Sequence, residues 1–120
     1  MERLKLNNRG GNWETIIFIV IRRILVDNNQ HFSRSELLAQ EHVDFMVKFT
    51  GLLGHKENPE HPEETIQRTL QNLRDKGLID FLGGGEYRMT PCGTLEMERK
   101  AGRLPYNELS EKISQLFFSM

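Results

Sequence analysis

The run from Glu64 to Thr90 constrains this chain more than any other part of it. Ile66, Leu70 and Leu73 recur at i, i+4 and i+7, so residues 64–76 predict an amphipathic helix with one narrow apolar stripe. Gly77 follows, where a helix ends in the left-handed conformation that glycine adopts without steric cost. The opposite face of the helix carries Gln67, Arg68, Gln71 and Asn72. Long amide and guanidinium side chains of this kind read base edges in a major groove. Leu78, Ile79, Phe81 and Leu82, then three glycines, then Tyr87, Arg88 and Met89 predict two short strands joined by a glycine turn. Helix, glycine and hairpin in this order form the second half of a winged helix-turn-helix, an α+β fold that is mostly α.

The first half is read from weaker signals. Residues 1–12 have no periodicity and are expected to be a flexible leader to a winged-helix domain over 13–90. Residues 15–26 are so uniformly apolar that periodicity cannot separate strand from helix, but twelve residues exceed an ordinary strand. They predict a central helix, with Ile16, Ile17, Val20, Ile21 and Ile24 packed inward and Arg22 and Arg23 on the outer face. Residues 27–31 predict a polar turn. Ser33 with Glu36 is a capping box that starts a second helix, in which the hydroxyl accepts from the N3 amide and the carboxylate reaches back. The helical pattern continues to about Gly51, as one long helix or as two broken near Gln40. Residues 54–62 predict an exposed loop, and Pro62 with Glu63 and Glu64 opens the next helix.

After Thr90, residues 91–120 predict a helical extension, with a helix near 94–101 and another over 107–119. Leu109, Ile113, Leu116 and Phe117 share one face of the last helix. That face needs a partner, which is either the chain's own first helix or the same helix of a second copy, making a homodimer.

Composition limits the function. The chain of 120 residues is long enough for one domain that buries roughly two thirds of its unfolded surface. No segment approaches the ~20 apolar residues that span a bilayer, and the N-terminus has no secretory h-region, so a cytoplasmic protein without membrane contact is expected. The single cysteine, Cys92, forms no internal disulfide and is expected to be a small buried thiol. DNA-binding domains usually carry a basic excess, because phosphate neutralisation dominates their affinity. This chain has 16 basic and 17 acidic residues. The acidity is local: Glu41, Asp44, Glu57, Glu60, Glu63 and Glu64 precede or open the candidate reading helix. Residues 65–90 set Arg68, Arg74, Lys76 and Arg88 against Asp75, Asp80 and Glu86. Any affinity for DNA is therefore modest and strongly dependent on salt.

Two catalytic patterns fail on geometry. Asp80 with Glu98 and Lys100 imitates the Asp, Glu-x-Lys magnesium site of many nucleases, but Glu98 and Lys100 fall on a predicted helix, about 200° apart. His42, His55, His61 and Cys92 lack the paired spacing of a zinc site. No metal, cofactor or enzymatic activity is expected.

Trp13 ahead of the apolar helix, residues 31–36 opening the second, and above all the run Ile66-Gln-Arg-Thr-Leu-Gln-Asn-Leu-Arg-Asp-Lys-Gly-Leu-Ile-Asp-Phe-Leu-Gly-Gly-Gly-Glu-Tyr-Arg88 resemble a known domain. It is the C-terminal winged-helix domain of the methyladenine-dependent restriction endonucleases, the Dam-replacing family. The resemblance covers about residues 10–90. It implies a domain that reads GATC duplexes bearing N6-methyladenine, while nuclease chemistry and a zinc-binding cysteine cluster belong to a separate domain. Carried over by position, Gln67, Arg68, Gln71 and Asn72 would face the major groove, and Lys76 and Arg88 would contact phosphates. Two other readings of the same residues remain open, a homodimeric winged-helix regulator and a winged helix used for protein contact.

Overall fold

Residues 16–21 are all buried, and a helix that buries six consecutive side chains is enclosed on every side. In the computed structural model, which describes residues 11–25, 30–52, 61–102 and 105–118, that helix is α1 (Gly11–Leu25). Around it stand β1 (His31–Ser33), α2 (Arg34–Leu37), α3 (Gln40–Leu52), α4 (Pro62–Asp75), β2 (Ile79–Gly83), β3 (Glu86–Met89), α5 (Pro91–Ala101) and α6 (Tyr106–Phe118). α3, α4, α5 and α6 all pack on α1, which makes it the centre of a mostly helical α+β fold. Gly11 and Asn12, expected to close the leader, belong to α1, and residues 1–10 of that expected leader lie outside the described residues.

The arginines expected on the outer face of α1 are tertiary ties. Arg22 Nη1 donates to the Gly102 carbonyl at 2.8 Å and its Nε lies 3.5 Å from Glu98, which fastens the end of α5. Arg23 Nη1 lies 2.7 Å from His42 Nε2 and 3.4 Å from Glu41, with its guanidinium 4.4 Å from the Tyr106 ring centre. His42 Nδ1 is 2.7 Å from the Glu36 carbonyl. That geometry assigns the ring proton to Nδ1, as donor to the carbonyl, and leaves Nε2 to accept from Arg23.

The capping box forms as read: the Glu36 amide donates to Ser33 Oγ at 3.1 Å and the Ser33 amide donates to Glu36 Oε1 at 2.9 Å. Of the two alternatives beyond it, the broken helix is found, with Leu38 and Ala39 separating α2 from α3. The expected polar turn at 27–31 needs correction at its end. His31 begins a strand that pairs with β3, completing an antiparallel sheet in the order β1-β3-β2. Three residues are too few for alternation to register, and the partner strand lies more than 50 positions away in the chain.

The end of α4 is a Schellman motif. Gly77 has φ +74°, its amide donates to the Arg74 carbonyl at 2.9 Å, and the Leu78 amide reaches back to the Leu73 carbonyl at 2.9 Å. The chain is thereby turned straight into β2. Gly84 and Gly85, at φ +58° and +79°, form the two-residue turn between β2 and β3, where positive φ at both positions matches the twist of a hairpin. The Arg34 amide donates to the Gly85 carbonyl at 2.8 Å and ties the wing tip to the start of α2.

α6 lays Leu109 and Ile113 into the chain's own core, against α3 and α1. The side chains of Leu116 and Phe117, like residues 54–60 of the expected loop and residues 27–29 of the expected turn, lie outside the described residues. Cys92 is exposed, not buried. It sits in the first turn of α5 beside Gly93, and it is Gly93 that turns inward, against the Leu78 carbonyl.

Candidate nucleic-acid interface

α4 buries Ile66, Thr69, Leu70 and Leu73, so the apolar stripe is seated as its spacing requires. Thr69 adds to it because its hydroxyl is satisfied within the helix, donating to the Thr65 carbonyl at 2.8 Å. The residues turned to solvent are Glu63, Glu64, Gln67, Arg68, Gln71, Asn72, Arg74 and Asp75. Gln67, Arg68 and Asn72 make no side-chain hydrogen bond or ion pair with the other described residues. Gln71 is held in place: its Nε2 donates to Asp75 Oδ1 at 2.9 Å and its Oε1 accepts from Arg74 Nη1 at 3.4 Å. Four polar side chains thus share one exposed helical face, three of them unengaged and one oriented.

The wing lies beside this face. Arg88 on β3 stands opposite Asp80 on β2, with 3.3 Å between Nη2 and Oδ2. Both side chains are about half exposed, and such a pair contributes roughly 0–1 kcal/mol. Little opposes the transfer of Arg88 to a phosphate. Lys76 is bound more firmly, since its Nζ lies 2.6 Å from Glu14 Oε2, and Lys100 Nζ lies 3.1 Å from Glu14 Oε1.

Glu14 joins α1, the end of α4 and α5 from a buried position. Burial alone would push its carboxyl up, but hydrogen bonds from Lys76 and Lys100, with their charges, outweigh that and hold it below the ordinary 4.5. A carboxyl with a lowered folded value contributes stability above its unfolded value and loses it as pH falls through the folded one. Glu14→Gln should therefore destabilise the fold at neutral pH by roughly 1–3 kcal/mol, less than for a fully dry pair because Lys76 is half exposed. In urea melts, the gap between variant and parent should close as pH drops below the ordinary carboxylate range. A gap independent of pH would show that the carboxylate charge is not what Glu14 contributes.

The residues of the imitated magnesium site are dispersed, with Asp80 on Arg88, Glu98 on Arg22 and Lys100 on Glu14. His42 is consumed by its own hydrogen bonds, His61 is the N-cap of α4 without a side-chain cap bond, and His55 lies outside the described residues. Among the described residues no group of His, Cys, Asp and Glu could hold a metal ion, and no helix is long and apolar enough to cross a membrane.

Reading the sequence missed Arg74, Phe81 and Glu14. Arg74 was accessible in principle, since it stands seven positions after Gln67 and falls within about 20° of it around the helix. Glu14 had no such signal, because an acid in a first helical turn is ordinary and its lysine partners are 62 and 86 positions away.

No curated protein and no solved structure matches the chain. A family model does, over residues 9–89, which spans α1 to the end of the wing. With that match, and with an exposed polar helix set beside a three-stranded wing, the chain belongs to the Dam-replacing HTH domain family, whose helix-turn-helix fold is of the DNA-binding type.

Proposed function

We propose that this chain is a reader of duplex DNA, with α4 in the major groove and the β2–β3 wing along the backbone, and that its preferred target is adenine-methylated. The observation that carries this is the exposed face of α4, where Gln67, Arg68 and Asn72 are unengaged and Gln71 is oriented beside the wing. Gln67, Arg68, Gln71 and Asn72 are the base-reading set, and Arg88 and Lys76 the backbone contacts. Amide side chains pair with adenine N6 and N7, and a methyl on N6 replaces one of those donors by an apolar contact. The domain acts as a recognition module in a cytoplasmic restriction–modification setting and carries no catalytic step. Glu63 and Glu64 in the first turn repel phosphates at the end of a recognition helix that enters the groove, so binding is discriminating and weakly anchored.

The test is a titration of GATC duplexes bearing zero, one or two N6-methyl groups at two salt concentrations. Affinity should rise with methylation, and equal binding to all three would remove the methyl preference while leaving DNA binding standing. Arg68→Ala should lower affinity for the preferred duplex about 10- to 100-fold and flatten sequence preference, as loss of a base contact does. Arg88→Ala should weaken all duplexes alike and reduce the salt slope by about 0.9. If both variants lose affinity equally on every sequence, these two roles are wrongly divided.

A further inference from the structure

A row of aromatic rings crosses the sheet and ends at α4. Phe32, Tyr87 and Phe81 are register partners on β1, β3 and β2. Phe32 and Tyr87 are buried and stacked, with centroids 5.3 Å apart and planes at 10°. Phe81 packs on Tyr87 at 5.2 Å and is 38% exposed at the sheet edge. Over its free face lies the Arg74 guanidinium, 5.0 Å from the ring centre. Arg74 Nη1 also donates to Gln71 Oε1 at 3.4 Å. The guanidinium therefore stands between the reading helix and the wing, fixed from both sides.

Its charge is not consumed there. Arg22, Arg23, Arg88 and Arg99 each lie against a carboxylate, whereas Arg74 has none among the described residues. Arg68 likewise has none, but nothing restrains it. Arg74 is the exposed arginine of this face that is both restrained and uncompensated. A cation–π contact leaves the N–H donors of a guanidinium available, and those donors are what fork onto two oxygens of a phosphate. Lys76, two positions on, must leave Glu14 to do the same. Arg74 has no carboxylate to leave, only the 3.4 Å bond from Nη1 to Gln71 Oε1.

We infer that Arg74 is a DNA-backbone contact set between the reading helix and the wing, and that Phe81 is its positioning residue. This rests on the DNA-binding reading above. A phosphate is the ligand and not a base edge, because the contact with Phe81 turns the Arg74 guanidinium from the reading face toward the wing, the element that lies along the backbone in the reading above. The cation–π contact with Phe81 restricts the rotamers of a side chain that otherwise loses much freedom on binding, so the contact is made at lower entropic cost. It also explains why an aromatic ring is kept partly exposed at a sheet edge.

The experiment is a salt-dependent titration of a methylated and an unmethylated GATC duplex with the full chain and with Arg74→Ala, Arg74→Lys, Phe81→Leu and Phe81→Leu/Arg74→Ala, each with its melting temperature. Arg74→Ala should lose about tenfold in affinity for both duplexes alike, and its salt slope should fall by about 0.9. Arg74→Lys should recover the slope but not the full affinity, since an ammonium keeps the charge and loses the fork. Phe81→Leu should lose less than Arg74→Ala, and nothing further in the Arg74→Ala background. If the parent chain binds and Arg74→Ala binds with unchanged affinity and slope, the contact is overturned while DNA reading stands. An additional loss from Phe81→Leu in the Arg74→Ala background overturns the positioning role. Failure of the parent chain to bind either duplex at low salt removes the DNA reading and this inference with it.

Discussion

Replacing Gly93 by alanine should be the most damaging glycine-to-alanine change among the described residues. A Cβ built at Gly93 falls 1.8 Å from the Leu78 carbonyl oxygen and 2.7 Å from its carbon, so neither a rotamer change nor a side-chain shift relieves it. The obstacle is backbone, and it is not free to move. The Leu78 oxygen accepts from the Thr90 amide at 3.2 Å and from the Thr90 hydroxyl at 3.1 Å, while the Leu78 amide closes the Schellman motif on Leu73. Displacing it disturbs the cap of α4, the start of β2 and the N-cap of α5 together. Overpacking in a tight core costs about 1–3 kcal/mol, and a clash with hydrogen-bonded backbone belongs at or above the top of that range. For a chain of this size the melting temperature should fall by roughly 10–15 °C. A melt within two or three degrees of the parent would mean that α5 does not pack on Leu78 as closely as found.

Leu70→Ala should cost about 2–5 kcal/mol, read from urea unfolding, because Leu70 is 1% exposed in the middle of the stripe that seats α4 on α1. Its effect on DNA affinity should differ in kind from that of Arg68→Ala. The alanine leaves Gln67, Arg68, Gln71 and Asn72 on the same exposed face, so wherever the variant is fully folded its affinity should approach that of the parent. Arg68→Ala should show the reverse, with unchanged stability and weakened preference. A Leu70→Ala protein that stays folded yet reads DNA as poorly as Arg68→Ala would show that the placement of α4, and not merely its presence, depends on this one contact.

The parts of the fold legible in the sequence are those governed by neighbours along the chain. Ile66, Leu70 and Leu73 are buried because helical geometry puts them on one side, whatever they pack against. Gly77, Gly84 and Gly85 take positive φ, a conformation demanded by the local turn. Ser33 and Glu36 meet because they are three residues apart. The candidate site was half legible on the same grounds: the exposure of Gln67, Arg68, Gln71 and Asn72 follows from the burial of the stripe behind them.

Where distant partners decide, the reading ran short. Arg22 and Arg23 are surface charges by periodicity and tertiary ties by position, because Gly102, Glu98, Glu41 and His42 happen to lie within their reach. Cys92 was expected inside for its size and polarity, yet the inward position in that turn admits no Cβ at all and falls to Gly93. β1 exists through its partner β3, since three residues have no strand signal of their own.

By itself, then, the sequence determined a winged helix with a polar outer helix face, because amphipathic spacing, caps and glycine turns act within a few residues. Only the tertiary structure decided how the charges of that winged helix are spent. Lys76 is drawn to the buried Glu14, Arg88 is lightly paired with Asp80, and Arg74 is held on Phe81 without a counter-charge. An ion pair or a stack forms between side chains that folding brings within a few ångströms of each other, and the Coulomb and dispersion forces behind it are indifferent to distance along the chain.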